Sequence, residues 1–266
     1  MFKRLFVFGC SYTSHSWPTW ADIIARDLEL PYENWGLGGL GNFGIQSRLV
    51  ECDLKNKLNQ DDLVLILWSG WNREDRFRLD KCGWICGGYI FNNHNYDKRF
   101  LEKYWTLEND IVRNITIFHT TRRAYSDIIK WEGEMTSPYY GDEYHHNQLN
   151  KSTNFITRLL NDFENRSPKI PKFPNYAANE WNTLHSDSHP DIKQHRDFVI
   201  KEIYSKLNLT MKQSTVDIIN ELYPKVIDIC KNNQHVDSHV RNTLTRNLYK
   251  SHGFDLTVLN SQYSQA

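Results

Sequence analysis

Residues 6–13, FVFGCSYT, end a wholly apolar, β-favouring run at Gly9 and then present Cys10, Ser11 and Tyr12. A serine hydroxyl is a poor nucleophile at neutral pH, and it needs a base within hydrogen-bond reach that a third group orients. The segment HSDSHPDIKQH at 185–195 supplies both, with Asp187 two positions before His189. An isolated acid and histidine in a polar loop is more often solvated surface than a catalytic pair, so the pair needs company. Acyl transfer also requires donors aimed at the developing oxyanion. NWGLGGLGN at 34–42 offers backbone N–H groups, and WSGWNRED at 68–75 offers the side-chain amide of Asn72.

The elements expected around these stretches place them together. Leu5–Phe8 reads as a strand, and Pro18–Leu30 carries Trp20, Ile23, Ile24 and Leu28 at helical spacing. Tyr32–Trp35 reads as a short strand before the glycine loop, and Phe43–Leu58 as a second helix. Leu63–Trp68 is continuously apolar, as central parallel strands tend to be. Strand, helix, strand, helix, strand is the signature of an α/β layered fold. Three predicted strand ends therefore deliver Ser11, the glycine loop and Asn72 to one edge of a parallel sheet. Beyond them, Leu107–Ile129 reads as helical, and residues 135–150 and 167–179 as loops. Helices are expected over Asp191–Leu207, Val216–Cys230 and Val236–Leu248, the last with Val236, Val240, Leu244 and Leu248 in a narrow apolar stripe suited to docking or self-association.

On these residues the chain resembles the SGNH hydrolases, also called GDSL-type esterases and lipases, whose four blocks carry Ser, Gly, Asn and His in that order. FGCSYT resembles the first block, with Ser11 in the nucleophile place and Cys10 where an Asp is common. NWGLGGLGN resembles the second, with Gly39 as the best match to the oxyanion-hole glycine and Gly38 or Gly41 as alternatives. WSGWNRED resembles the third and puts Asn72 in the oxyanion hole. SDSHP resembles the fourth, with His189 as base and Asp187 as its partner, although the family's acid commonly sits three residues before the His, where this chain has Ser186. His185 is a rival base, and the Pro190 that follows His189 favours the latter. The resemblance covers residues 1–75 and 183–208 and looks most like compact phage and bacterial members. It implies a three-layer α/β/α sandwich around a central parallel sheet, flavodoxin-like in strand order. The implied organisation is a hydrolase domain over 1–208, with an irregular insert at about 76–182, and a helical C-terminal extension over 209–266. The implied activity is a serine esterase that needs no cofactor, with the N–H groups of Ser11 and Gly39 and the Asn72 amide on the oxyanion. The aromatic-rich insert, residues 83–144, suits an O-acetylated glycan as substrate. The alternative is a catalytically silent protein of the same fold, such as a glycan-binding module or a virus-particle component making contacts through its C-terminal helices.

Other residues invite other chemistry. CGWIC at 82–86 with His94, the pair His145 and His146, and His235 with His239 have metal-ligand residue types, but no second Cys/His pair completes a zinc site. The Gly-x-Gly-x-x-Gly string at 36, 38 and 41 invites phosphate, but it follows the second strand, and no acidic residue stands where a ribose would need one. Arg73, Glu74, Asp75 and Arg76 read as an exposed charge cluster.

Composition narrows the classes further. Lys+Arg and Asp+Glu both total 32, which argues against nucleic acid or an anionic membrane as the principal partner. The five cysteines are odd in number and scattered, as expected in a reducing compartment. The apolar run near the start is too short for a signal peptide, and no stretch approaches the roughly 18 apolar residues that cross a bilayer, so a cytoplasmic or virion-associated protein is expected.

Overall fold

The computed structural model describes residues 2–78, 83–89, 107–135, 170–234, 238–254 and 256, with single positions at 99, 103, 158–159, 161–162 and 165. Strand β1 (Arg4–Phe8) leads through helix α1 (Trp20–Leu28) to β2 (Tyr32–Asn34), and α2 (Asn42–Asn56) leads to β3 (Asp62–Trp68). A separate antiparallel ribbon follows, β4 (Arg73–Arg78) with β5 (Gly83–Tyr89). Helix α3 (Leu107–Tyr125) returns the chain to β6 (Ile129–Met135), and the two-residue β7 (Lys172–Phe173) closes the sheet. The main sheet has the order β2-β1-β3-β6-β7 with every neighbour parallel, which is the flavodoxin-like arrangement. Helices α4 (Glu180–His185), α5 (Ile192–Phe198), α6 (Gln213–Asn232) and α7 (Ser238–Ser251) complete the described chain. Helix α5 runs on through a π-helical turn at Val199–Tyr204 to Leu207.

Alternation along the strands builds two cores. Leu5 and Val7 of β1 and Leu63, Leu65 and Leu67 of β3 face one way, against Trp20, Ile23 and Ile24 of α1 and the buried side of α5 and α6. Phe6 and Phe8, with Val64, Ile66 and Trp68, face the other way against Ile45 and Leu49 of α2 and Phe118 of α3. Every β3 residue is buried because both faces are covered, so the expected three-layer α/β/α sandwich is the observed fold. Ile219, Leu222, Val226 and Cys230 of α6, with Tyr249 of α7, belong to the first of these cores. Helices α6 and α7 therefore share one core with β1 and β3.

Several expectations need correction. The helix expected to reach Ile129 ends at Tyr125, and Ile129 instead opens β6. Residues 129–135, IKWEGEM, bury alternate side chains, and the free edge of β3 captures that period-2 pattern even though it carries charges. β7 hides in the proline-bearing segment read as loop: its short pairing with β6 needs only Pro171 to accept from the Glu134 N–H, and prolines are tolerated on such an edge. Helix α4 was not anticipated; the Asn179 side chain caps it by accepting from the Asn182 N–H.

Candidate active site

The ends of β1, β2 and β3 open at one edge of the sheet, and each delivers one expected site segment. After β1 the chain turns sharply, with the N–H groups of Thr13 and Ser14 both donating to the Cys10 carbonyl. That turn explains Gly9: a Cβ there would lie 2.0 Å from Thr13 Oγ1 and 2.9 Å from the Leu67 carbonyl oxygen. Ser11 sits on this turn, almost buried. Cys10 points away into the second core, where its Sγ lies 3.7 Å from Met135 Sδ.

Asn34, at the end of β2, ties the turn that carries Ser11 to the glycine loop. Its Nδ2 donates to the Thr13 carbonyl at 2.9 Å, and its Oδ1 accepts from the Gly36 N–H at 2.9 Å. Leu37–Leu40 then forms a turn, closed by the Leu40 N–H on the Leu37 carbonyl. Gly39 occupies its third position at φ +79°, the left-handed value that a type II turn demands there. The loop passes directly over the serine, since a Cβ on Gly38 would meet Ser11 Cβ at 4.0 Å.

Asn72 lies in the turn after β3, which is anchored from beneath. Asn42 accepts from the Ser69 N–H at 2.7 Å and donates to the Ser69 carbonyl and to Asn114 Oδ1. Asn114 and Arg113 in turn donate to the Trp71 carbonyl at 2.9 and 3.0 Å. Asn72 itself is 6% exposed, and neither Nδ2 nor Oδ1 has a hydrogen-bond partner among the described residues. Leaving a buried amide unpaired is costly, and such groups in folded proteins call for an explanation.

The segment after α4 holds Asp187 and His189, the expected acid and base. Ser186 takes a left-handed conformation at the C-cap, and Asn182 Nδ2 clamps the turn by donating to the carbonyls of Asp187 and His189 at 2.9 and 2.8 Å. Asp187 Oδ1 accepts from the His189 backbone N–H at 2.8 Å, an Asx turn, and from His189 Nδ1 at 2.5 Å. The two-residue spacing therefore works because one carboxylate oxygen serves both donors. Nδ1 being engaged, Nε2 is the nitrogen left to act as a base. The His189 ring also meets Tyr12, the residue after Ser11, edge-on at 5.2 Å.

Sequence reasoning missed His15. Its Nε2 addresses the other Asp187 oxygen, Oδ2, at 3.2 Å, and its ring stacks on His189 with centroids 4.2 Å apart and 22° between planes. A histidine four residues after the serine was the available signal. Burial would raise the Asp187 pKa, but hydrogen bonds from His15 and His189 outweigh it and hold the carboxyl well below the usual carboxylate range. Burial lowers the His15 pKa, against the opposing effect of its bond to Asp187. His185 is otherwise employed: Nδ1 bonds the Trp181 carbonyl at 2.9 Å, Nε2 faces Cys230 Sγ at 3.6 Å, and the ring packs on Trp17 and Trp181.

Two competing chemistries meet geometric obstacles. His15, Asp187 and His189 bring potential ligand atoms within 4.8 Å of one another. A zinc ion about 2.0–2.2 Å from each ligand needs in-plane lone pairs that converge on it, whereas two stacked rings direct theirs side by side towards the carboxylate. The N-terminus of α2, where phosphate was considered, already holds an anion. Asp75 accepts from the Gly41 N–H at 2.9 and 3.1 Å and from the Gly44 N–H at 2.7 Å. The expected exposed charge cluster is thereby overturned, since Arg73 and Asp75 are buried. Burial raises the Asp75 pKa, while the two glycine N–H groups work against that rise. Cys82, His94, His145, His146 and His235 lie outside the described residues, as do the side chain of His239 and most of the aromatic insert. Among the described residues, no helix is long and apolar enough to cross a membrane.

No protein-family model and no curated protein matches the chain. Among solved structures, it is similar to a catalytic mutant of Axe2, an acetylxylan esterase from Geobacillus stearothermophilus, with TM-score 0.40 and 13% identity over 78% of this chain and 95% of that one. It is also similar to Est2A, an acetyl xylan esterase from the rumen bacterium Butyrivibrio proteoclasticus, with TM-score 0.37 and 14% identity over 78% of this chain and 65% of that one.

Proposed function

We propose that the chain is a serine esterase of the SGNH type. The observations that carry this reading are the carboxylate-bound imidazole of His189, whose ring meets Tyr12 beside Ser11, and the Asn72 amide, buried without a partner among the described residues in the loop after the neighbouring strand. Ser11 Oγ attacks the ester carbonyl and forms the new C–O bond, while His189 Nε2 takes the hydroxyl proton and the carbonyl π electrons move to oxygen. The N–H groups of Ser11 and Gly39 and the Asn72 amide hold that oxyanion. Its collapse breaks the bond to the leaving alcohol, which departs with the proton from His189. Water then attacks the acyl-enzyme by the same route, with Asp187 stabilising the imidazolium each time. Short acyl groups on a glycan are the proposed substrate class, on the aromatic richness of the insert.

A fluorophosphonate probe tests the assignment directly. Wild type is expected to be labelled and to hydrolyse p-nitrophenyl acetate, and Ser11→Ala to do neither while keeping its circular dichroism spectrum. A folded wild type that takes no label and turns over no short-chain ester would overturn the reading in favour of a silent binding protein of this fold.

A further inference from the structure

We propose that His15 is a positioning residue that completes a two-sided clamp on Asp187, fixing the carboxylate so that Oδ1 stays on His189. The inference rests on the triad reading above and adds a fourth member to it. With only one residue between acid and base, Asp187 Oδ1 is shared by the backbone N–H and Nδ1 of the same histidine. Both of those bonds lie on one side of the carboxylate, so rotation about the Cβ–Cγ bond would exchange the oxygens unless Oδ2 is also held. His15 Nε2, 3.2 Å from Oδ2, supplies that hold.

His15 is itself fixed by its surroundings. The ring of Trp17 packs edge-on against it at 4.1 Å, and Trp17 Nε1 donates to the Pro190 carbonyl at 2.9 Å, so the clamp and the base loop are joined twice. Thr13, two residues before His15, is pinned through its carbonyl by Asn34 and Thr19. The nucleophile turn, the glycine loop and the acid–base loop thus share one hydrogen-bonded support.

The arrangement also fixes chemistry. An ionised carboxylate only accepts hydrogen bonds, so the nitrogen of each imidazole that faces it must carry a proton. His15 is therefore the Nε2–H tautomer when neutral, opposite to His189, which is the Nδ1–H tautomer. A neutral ring stacked on His189 adds no like charge when His189 takes up the Ser11 proton.

The test has two parts. Nitrogen-15 NMR of the imidazoles in wild-type protein reads the tautomers without any substitution: Nε2–H for His15 with Nδ1–H for His189 is expected, and Nδ1–H for His15 overturns the proposal. In kinetics, His15→Phe keeps a stacking ring but removes the donor, and is expected to lower kcat on the order of tenfold with KM nearly unchanged, the size of one charge-assisted hydrogen bond. His15→Gln, whose amide N–H can reach Oδ2, is expected to recover most of that loss. Wild-type kcat in His15→Phe, or equal losses in the Phe and Gln variants, would refute positioning through Asp187. Failure of the esterase reading is distinguishable, because Ser11→Ala would then retain whatever turnover the wild type shows while the tautomer measurement still reports on the clamp.

Discussion

Replacing Asn72 by Ala should separate stability from catalysis. Both polar atoms of this amide are buried without partners among the described residues, and each such group costs about 1–3 kcal/mol relative to its hydrated state. Its turn is held by other groups: Asn42 on Ser69, and Asn114 and Arg113 on the Trp71 carbonyl. Truncation therefore removes an unpaid desolvation without releasing the loop, and the small void left behind offsets part of the gain. The expected result is a urea midpoint equal to or above wild type, corresponding to a change between zero and about 2 kcal/mol in favour of the folded state. In the proposed esterase mechanism the same amide meets the oxyanion of the transition state, so its loss should lower kcat about 10²- to 10³-fold, or about 2.7–4 kcal/mol, with KM little affected. Asn72→Asp, of nearly the same shape but without a donor, should lose at least as much turnover. Ester hydrolysis and urea unfolding on the same preparations read both quantities. A loss of more than about 2 kcal/mol of stability in Asn72→Ala, or kcat within about threefold of wild type, would refute the reasoning.

Two further outcomes follow from buried carboxylates. Asp75→Ala should lower stability by about 2–4 kcal/mol in urea unfolding, because the Gly41 and Gly44 N–H groups lose their acceptor inside the protein while the recovered desolvation of the carboxylate offsets part of the loss. Asp22 is pushed up to about 6, by burial against the lowering effect of its bonds from Thr19 and Tyr32. A raised carboxyl pKa means that the folded state binds the proton more tightly, so this group's contribution falls as pH rises from about 4 to about 6, by on the order of 3 kcal/mol. Asp22→Asn should flatten the stability–pH curve across that window, and an unchanged slope would contradict the assignment.

Much of the fold was legible because period and composition agree where the sheet is fully covered. LVLILW can only be a strand buried on both faces, and α1 and α2 announce themselves by spacing. The expected site residues lie in the loops that follow the first three strands and in the turn after α4, where local residue types dominate. Failures came where tertiary context outweighed local pattern. IKWEGEM is half polar, its Ile129 reads as the last residue of a helix, and only the open edge of β3 makes the stretch a strand. Charge alone suggested that Arg73 and Asp75 were solvated, yet the N–H groups of Gly41 and Gly44 draw the carboxylate inward. That contact is 31 to 34 residues long-range in the chain, so no local window contains it.

His15 was invisible for a related reason. Its meaning depends on a partner 172 positions away, and its place four residues after Ser11 does not by itself name that partner. The same contact resolves the one feature of the acid–base loop that departs from the SGNH pattern. A three-residue spacing lets an acid approach its histidine with a relaxed loop, whereas the two-residue spacing forces Asp187 into an Asx turn in which one oxygen carries two donors. Such a turn fixes distance well and rotation poorly. The short spacing and the second histidine are thus best understood together: the first creates a carboxylate free to turn over, and the second removes that freedom.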